Sequence, residues 1–168
     1  MKKPTIKKIK LSKMKNKFPY ECRPVTVTKD MCDLNGHMNV VYYTHIFEDC
    51  CVELYDDMGF TASYFKKGFS SFTVEMNIRY LKELKEEEMA YPYFRLIDVG
   101  PKLIHYGGVI LTEDGELSAT TENMLVHIDM TVRKSSVMPK YLLEHLGKMR
   151  EEHAKTGELD FELRLKIK

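Results

Sequence analysis

The sequence has no tryptophan, no apolar run of signal-peptide or membrane-spanning length, and no large excess of either charge. The missing tryptophan decides nothing. The missing apolar run gives no signal for secretion or membrane insertion. The net charge is +1 over 168 residues, so no global field draws the chain toward nucleic acid or an anionic membrane. The four cysteines, Cys22, Cys32, Cys50 and Cys51, form no CxxC pair and no Cys/His cluster with zinc spacing. No metal is expected, and free thiols in a reducing, cytoplasmic setting account for the pattern. A dinucleotide fingerprint, internal repeats and a second domain are also absent.

What is there is an ordinary globular composition, 43% apolar and 30% charged, at a length that can bury one core. Residues 1–18 are lysine-rich and read as a solvated basic arm. Residues 19–153 read as a single domain and 154–168 as a tail.

The chain is organised around Asp33-Leu34-Asn35-Gly36-His37-Met38-Asn39, which runs into Val40-Val41-Tyr42-Tyr43. A β-branched run, Val25-Thr26-Val27-Thr28, precedes it and a helical pattern follows, so the stretch is a strand-to-helix turn. Gly36 can take backbone angles that a side chain forbids, and Asn39 or Asn35 can cap the helix. The first N–H groups of a helix lack internal partners and carry the positive end of its dipole. A polarised carbonyl oxygen could rest there with the Asp33 carboxylate close by, which suits acyl transfer. The same residue types also serve any tight turn and helix cap.

Residues 20–28 read as the first strand. Apolar residues at Val40, Tyr43, Phe47, Cys50, Leu54 and Met58 predict one helix of about five turns. A short helix follows over 61–67. From Phe72 to Tyr80 the alternation is strict and predicts a long strand with Phe72, Val74, Met76, Ile78 and Tyr80 on one face. Three more strands follow over 89–99, 103–112 and 117–130. Pro92 suggests an edge or bulge, Gly107-Gly108 a bulge, and Glu113-Asp114-Gly115-Glu116 a hairpin. Pro139 opens a C-terminal helix. The segment 158–168 alternates and could add an edge strand or stay loose.

The turn resembles the signature of hotdog-fold acyl-CoA thioesterases of the 4-hydroxybenzoyl-CoA thioesterase type. In that family an Asp three residues before the Gly is a usual catalytic carboxylate, which implies Asp33, and His37 matches the Gly-His pair. A second Asn usually follows the first after the His; here the pair is Asn39-Val40. Asn35-Gly36-His37-Met38-Asn39, Phe72-Thr73-Val74-Glu75-Met76 and Glu122-Asn123-Met124-Leu125-Val126-His127 are similar to the betainyl-CoA thioesterase branch, which also occurs fused to carnitine dehydrogenases.

The resemblance implies an α+β hotdog fold, an antiparallel curved sheet of about five strands wrapped around one long helix. It implies active sites between subunits, in a homodimer or homotetramer. The activity implied is hydrolysis of an acyl-CoA thioester without a cofactor. Asp33 would be general base or nucleophile, with His37 and Asn39 orienting it, the water or the thioester. The N–H groups of Val40 and Val41 would polarise the carbonyl. A betainyl cation would be held by rings from Tyr42, Tyr43 and Phe72 and by Glu75 or Glu122. Arg79 and Lys82 would meet the CoA phosphates. A neutral aromatic or medium-chain substrate on CoA or acyl carrier protein, or a non-enzymatic acyl-CoA-binding module, are the alternatives. Glu48, with His45 beside it, matches a branch that uses a helix glutamate. No nucleic-acid or membrane partner is expected.

Overall fold

A computed structural model of the chain describes residues 11–159 and 161–167. The strands are β1 (Tyr20–Glu21), β2 (Val25–Thr26), β3 (Phe69–Tyr80), β4 (Met89–Val99), β5 (Leu103–Leu111), β6 (Leu117–Asp129) and β7 (Lys134–Ser135). The helices are α1 (Val40–Cys50), α2 (Val52–Asp57), α3 (Ala62–Lys66) and α4 (Lys140–Ala154). The strands form one antiparallel sheet in the order β1-β4-β5-β6-β3, with β2 on β4 and β7 on β6. The helices cover one face, an arrangement that fits the hotdog fold.

The sheet has seven strands, not about five. The stretch 20–28 is split because Tyr20 and Glu21 pair with Phe94 and Tyr93, while Val25 and Thr26 pair with Ala90 and Met89. The gap falls opposite Tyr91-Pro92, and Pro92 has no N–H to offer a neighbour. The Cys22 N–H bonds the Pro92 carbonyl at 3.1 Å across it. The long helix is also divided. At Cys51 the backbone N–H and the thiol both turn back to the Glu48 carbonyl, three residues earlier, at 3.4 and 3.1 Å. Closing on the i−3 oxygen interrupts the α ladder and separates α1 from α2.

Alternation along β3 breaks at Val74, where the register with β6 slips by one residue. Phe72 therefore pairs with Val126 on one face, while Met76, Ile78 and Tyr80 pair with Asn123, Thr121 and Ala119 on the other. Gly107 and Gly108 are not a bulge: the register runs through them unbroken. They make room instead. A Cβ on Gly108 would lie 2.5 Å from the ring of Phe94. The bulge in this region is at Ile97 of β4, and there the Leu96 N–H is taken by His153 Nδ1 of α4 at 2.9 Å.

On the helix side, Tyr43, Ile46, Phe47, Leu54, Met58, Leu142 and Leu146 pack against Phe94, Leu96, Ile104, Tyr106, Ile110 and Leu125. A second cluster covers the outer face: Met14 and Phe18 pack on Tyr93, Val109, Leu111 and Leu117, joined by Leu159 and Phe161. The rings of Phe18 and Phe161 stack at 6.4 Å. The residues from Leu11 to Phe18 are thus a packed segment rather than a solvated arm, and the lysines before them lie outside the described residues. The C-terminal segment is neither strand nor loose. It crosses the outer face and is tied down by Glu122, whose carboxylate accepts the N–H groups of Arg164 and Leu165 at 3.0 Å. Among the described residues no helix is long and apolar enough to cross a membrane.

The contact between Gly108 and Phe94 sets a stability test. Phe94 is fully buried and cannot move aside, so Gly108→Ala should destabilise the fold by about 1–3 kcal/mol. Urea unfolding measures this, and an unchanged midpoint would show that the ring can give way.

Candidate functional site

The turn before α1 is closed from both sides. Cys32 and Met38 form an isolated antiparallel bridge. The Asp33 N–H bonds the His37 carbonyl at 3.1 Å, and the Gly36 N–H bonds the Asp33 carbonyl at 3.0 Å. Gly36 sits at φ 78°, the left-handed region the tight loop needs. Leu34, at the tip, is fully exposed. The loop is anchored to the body by the Met38 N–H, which bonds the Leu84 carbonyl at 2.7 Å.

Within this frame the Asp33 carboxylate is held at both oxygens. One accepts the Asn35 N–H at 2.8 Å and the other the Asn39 side-chain amide at 3.2 Å. The Asn35 N–H, chiefly, holds the Asp33 carboxyl below the usual carboxylate range; Asn39 and His37 add to this, and desolvation opposes it. Asn39 is the N-cap of α1. Its side-chain oxygen accepts the Val41 N–H at 3.1 Å. One amide therefore links the carboxylate to the helix start. The Val41 N–H is consumed by that cap and is not open to a ligand, against the expectation that Val40 and Val41 both donate. The Val40 N–H has no acceptor among the described residues. His37 Nδ1 donates to the Met38 carbonyl at 3.2 Å, which fixes the ring.

A cavity of about 290 Å³ opens beside this turn. His37 and Val40 line it at the turn, Tyr43, Tyr80 and Leu81 form an apolar wall, and Lys82 and Glu83 lie at its polar end. Tyr43 and Tyr80 meet edge to face at 5.1 Å, and burial pushes the Tyr43 phenol up. Lys82 is ion-paired with Glu116. Tyr42 is half-buried and turns its ring to His45 instead.

The structure does not bring the other expected residues here. Phe72 lies eight residues along β3 from Tyr80, about 27 Å by strand rise, beyond the Val74 bulge, and under the Arg133 guanidinium at 5.6 Å. Glu75 and Arg79 pair with Met124 and Thr120 on the face away from Tyr80. Glu122, 2% exposed, is on that same face beneath the C-terminal segment, with His105 Nε2 at 3.3 Å. Its carboxylate is occupied by backbone N–H groups, so it is unavailable to a substrate. Glu48 is on the exposed side of α1, its carboxyl raised by partial desolvation and by Asp49. His127 is wholly buried between the Tyr64 hydroxyl at 2.6 Å and Ser136 at 3.0 Å, a structural tie. Tyr80, Leu81 and Glu83 went unnoticed in the sequence as site residues. The signal was present for Tyr80, which ends the apolar row of β3 just where the chain passes the helix start. Among the described residues no group of His, Cys, Asp or Glu is placed to hold a metal ion.

Comparison with known proteins places the chain in a family. The family model of the Thioesterase-like superfamily matches residues 27–146. An L-carnitine dehydrogenase/betainyl-CoA thioesterase of Agrobacterium fabrum is 33% identical over 152 residues, covering 86% of this chain. This chain spans only 31% of that protein's length. A betainyl-CoA thioesterase of Pseudomonas aeruginosa is 25% identical over 129 residues, 76% of this chain and 81% of that one. Among solved structures, a Staphylococcus aureus protein in complex with CoA superposes with a TM-score of 0.71 at 23% identity, covering 89% of this chain and 95% of that one. A DHNA-CoA thioesterase from the same organism gives a TM-score of 0.70 at 20% identity, covering 82% and 95%. These two share the fold. The family match runs over the Asp33 turn and every element from α1 to β7, and the chain belongs to the Thioesterase-like superfamily.

Proposed function

We propose that the chain hydrolyses a small acyl-CoA thioester to the free acid and CoA, with betainyl-CoA as the leading substrate. The observation that supports this most is the pairing of an ionised Asp33 carboxylate with the start of α1 through Asn39, beside a cavity of about 290 Å³. The thioester carbonyl would lie toward the Val40 N–H and the positive end of the α1 dipole, which stabilises the oxyanion. Asp33, lowered in pKa, stays charged at neutral pH. It acts either by drawing a proton from water or by adding to the carbonyl carbon to give a mixed anhydride. His37, which lines the cavity, orients the water or the sulfur.

The names of the relatives support betainyl-CoA, and the CoA complex of the Staphylococcus aureus protein supports CoA as the carrier. Since Glu122 is committed elsewhere, the cation falls to what lines the cavity: the Tyr43 and Tyr80 rings, with Glu83 as the nearby carboxylate. β3 ends the sheet, with Phe72, Val74 and Tyr80 exposed along it. That supports a second copy pairing there, as a homodimer or within a homotetramer, and a cytoplasmic location goes with the free thiols.

CoA release should be measured from betainyl-, acetyl-, 4-hydroxybenzoyl- and medium-chain acyl-CoA. The expected result is a clear preference for betainyl-CoA; binding of these esters with no release from any would turn the reading to a binding module. Asp33→Asn should lower kcat by about 10²–10⁴-fold while leaving the unfolding midpoint in place. Because the lowered pKa keeps the active carboxylate charged in mild acid, the acid limb of kcat/KM should lie below the usual carboxylate range. Glu83→Gln should cost betainyl-CoA roughly threefold to tenfold in kcat/KM and spare the neutral esters. Equal loss on both would remove Glu83 from cation recognition.

A further inference from the structure

Cys22 follows β1 and Cys50 closes α1. Both are half-exposed, and neither is in a disulfide. The Cys22 thiol donates to the Cys50 carbonyl at 2.9 Å, which places the two residues in contact. That contact makes the pair unequal. Together with burial it pushes the Cys22 thiol up, while it draws the Cys50 thiol down against burial and the Asp49 and Glu53 carboxylates. The other two cysteines are placed differently. Cys51 is buried, its thiol spent on the Glu48 carbonyl and raised to about 12 by burial. Cys32 lies in the bridge with Met38.

We propose that Cys22 and Cys50 form a dithiol redox site that closes to an intrachain disulfide by exchange with a low-molecular-weight disulfide such as oxidised glutathione. The Cys50 thiolate attacks one sulfur of the small disulfide. Its S–S bond breaks, and the displaced thiolate takes up a proton. Cys22 then loses its proton and attacks the Cys50 sulfur of the mixed disulfide, releasing the second small thiol. Both protein sulfurs are oxidised and the small disulfide is reduced to two thiols. The bond closes a loop over residues 22–50, and that loop contains the whole Asp33 turn and α1. Oxidation thus fastens the segment that carries the candidate site to the sheet edge at β1.

The test does not depend on the thioesterase reading. The full chain is incubated with oxidised glutathione under native conditions, quenched in acid, alkylated and mapped by mass spectrometry. The expected product is a Cys22–Cys50 linked peptide pair with a loss of two hydrogen atoms per chain, reversed by dithiothreitol. The unfolding midpoint should rise by roughly 5–10 °C. Cys22→Ser should stall as a stable glutathione adduct on Cys50, and Cys50→Ser should leave Cys22 a free thiol. A lasting glutathione adduct on unaltered protein, a bridge through Cys32 or Cys51, or no reaction would each overturn the proposal.

Discussion

Strands β4, β5 and β6 are buried on both faces along most of their length. An antiparallel sheet more often has one wet face, and the need to cover the second face shapes much of this molecule. The helices seal one side. On the other, a short 3-10 helix at Leu11–Asn16, the residues just after it and the C-terminal segment supply Met14, Phe18, Leu159 and Phe161. Burying that face also buries polar groups placed on it by alternation, among them Arg95, His105 and Glu122. Each needs a partner that water no longer supplies. Arg95 finds the Gly157 carbonyl at 3.0 Å, and Glu122 finds the Arg164 and Leu165 N–H groups. The polar groups of the second face thereby position the segment that covers it.

This constraint explains what could be read from the sequence. Features decided by near neighbours were legible: the Asn39 cap, the Gly36 turn, the Asp-Gly hairpin and the alternation of β3. Features decided by distant partners were not. The Val74 bulge depends on how β6 registers against β3, and it moved Phe72 to the other face. The split of the first strand depends on Pro92, some seventy positions away in a different strand. The break at Cys51 turns on a thiol choosing a carbonyl, which periodicity does not register. Glu122, a carboxylate in the middle of a long strand, was a true signal of an unusual role. The role was to hold the chain's own backbone, and nothing local distinguishes that from holding a ligand.

The candidate site is economical in its parts. Asn39 caps α1 with its oxygen and holds Asp33 with its nitrogen, so the carboxylate and the helix dipole are kept in one geometry by one planar group. The Met38 bond to Leu84 then sets that unit against the end of β3, where Tyr80 and Glu83 complete the cavity. The missing second Asn of the family pattern is Val40 here. Its side chain is half-exposed at the cavity, and its N–H, rather than its side chain, is what the position contributes.

The outer covering has a kinetic meaning as well. Its contacts, such as Phe18 on Phe161, join residues from opposite ends of the chain, and closing so long a loop is entropically the most costly step of assembly. The Asp33 turn, its cap and the β5–β6 hairpin close over short spans and require none of it. On loop-closure grounds alone the Asp33 turn and the β5–β6 hairpin should close before the outer layer is added, and the outer face of the sheet should be the first to be uncovered on unfolding.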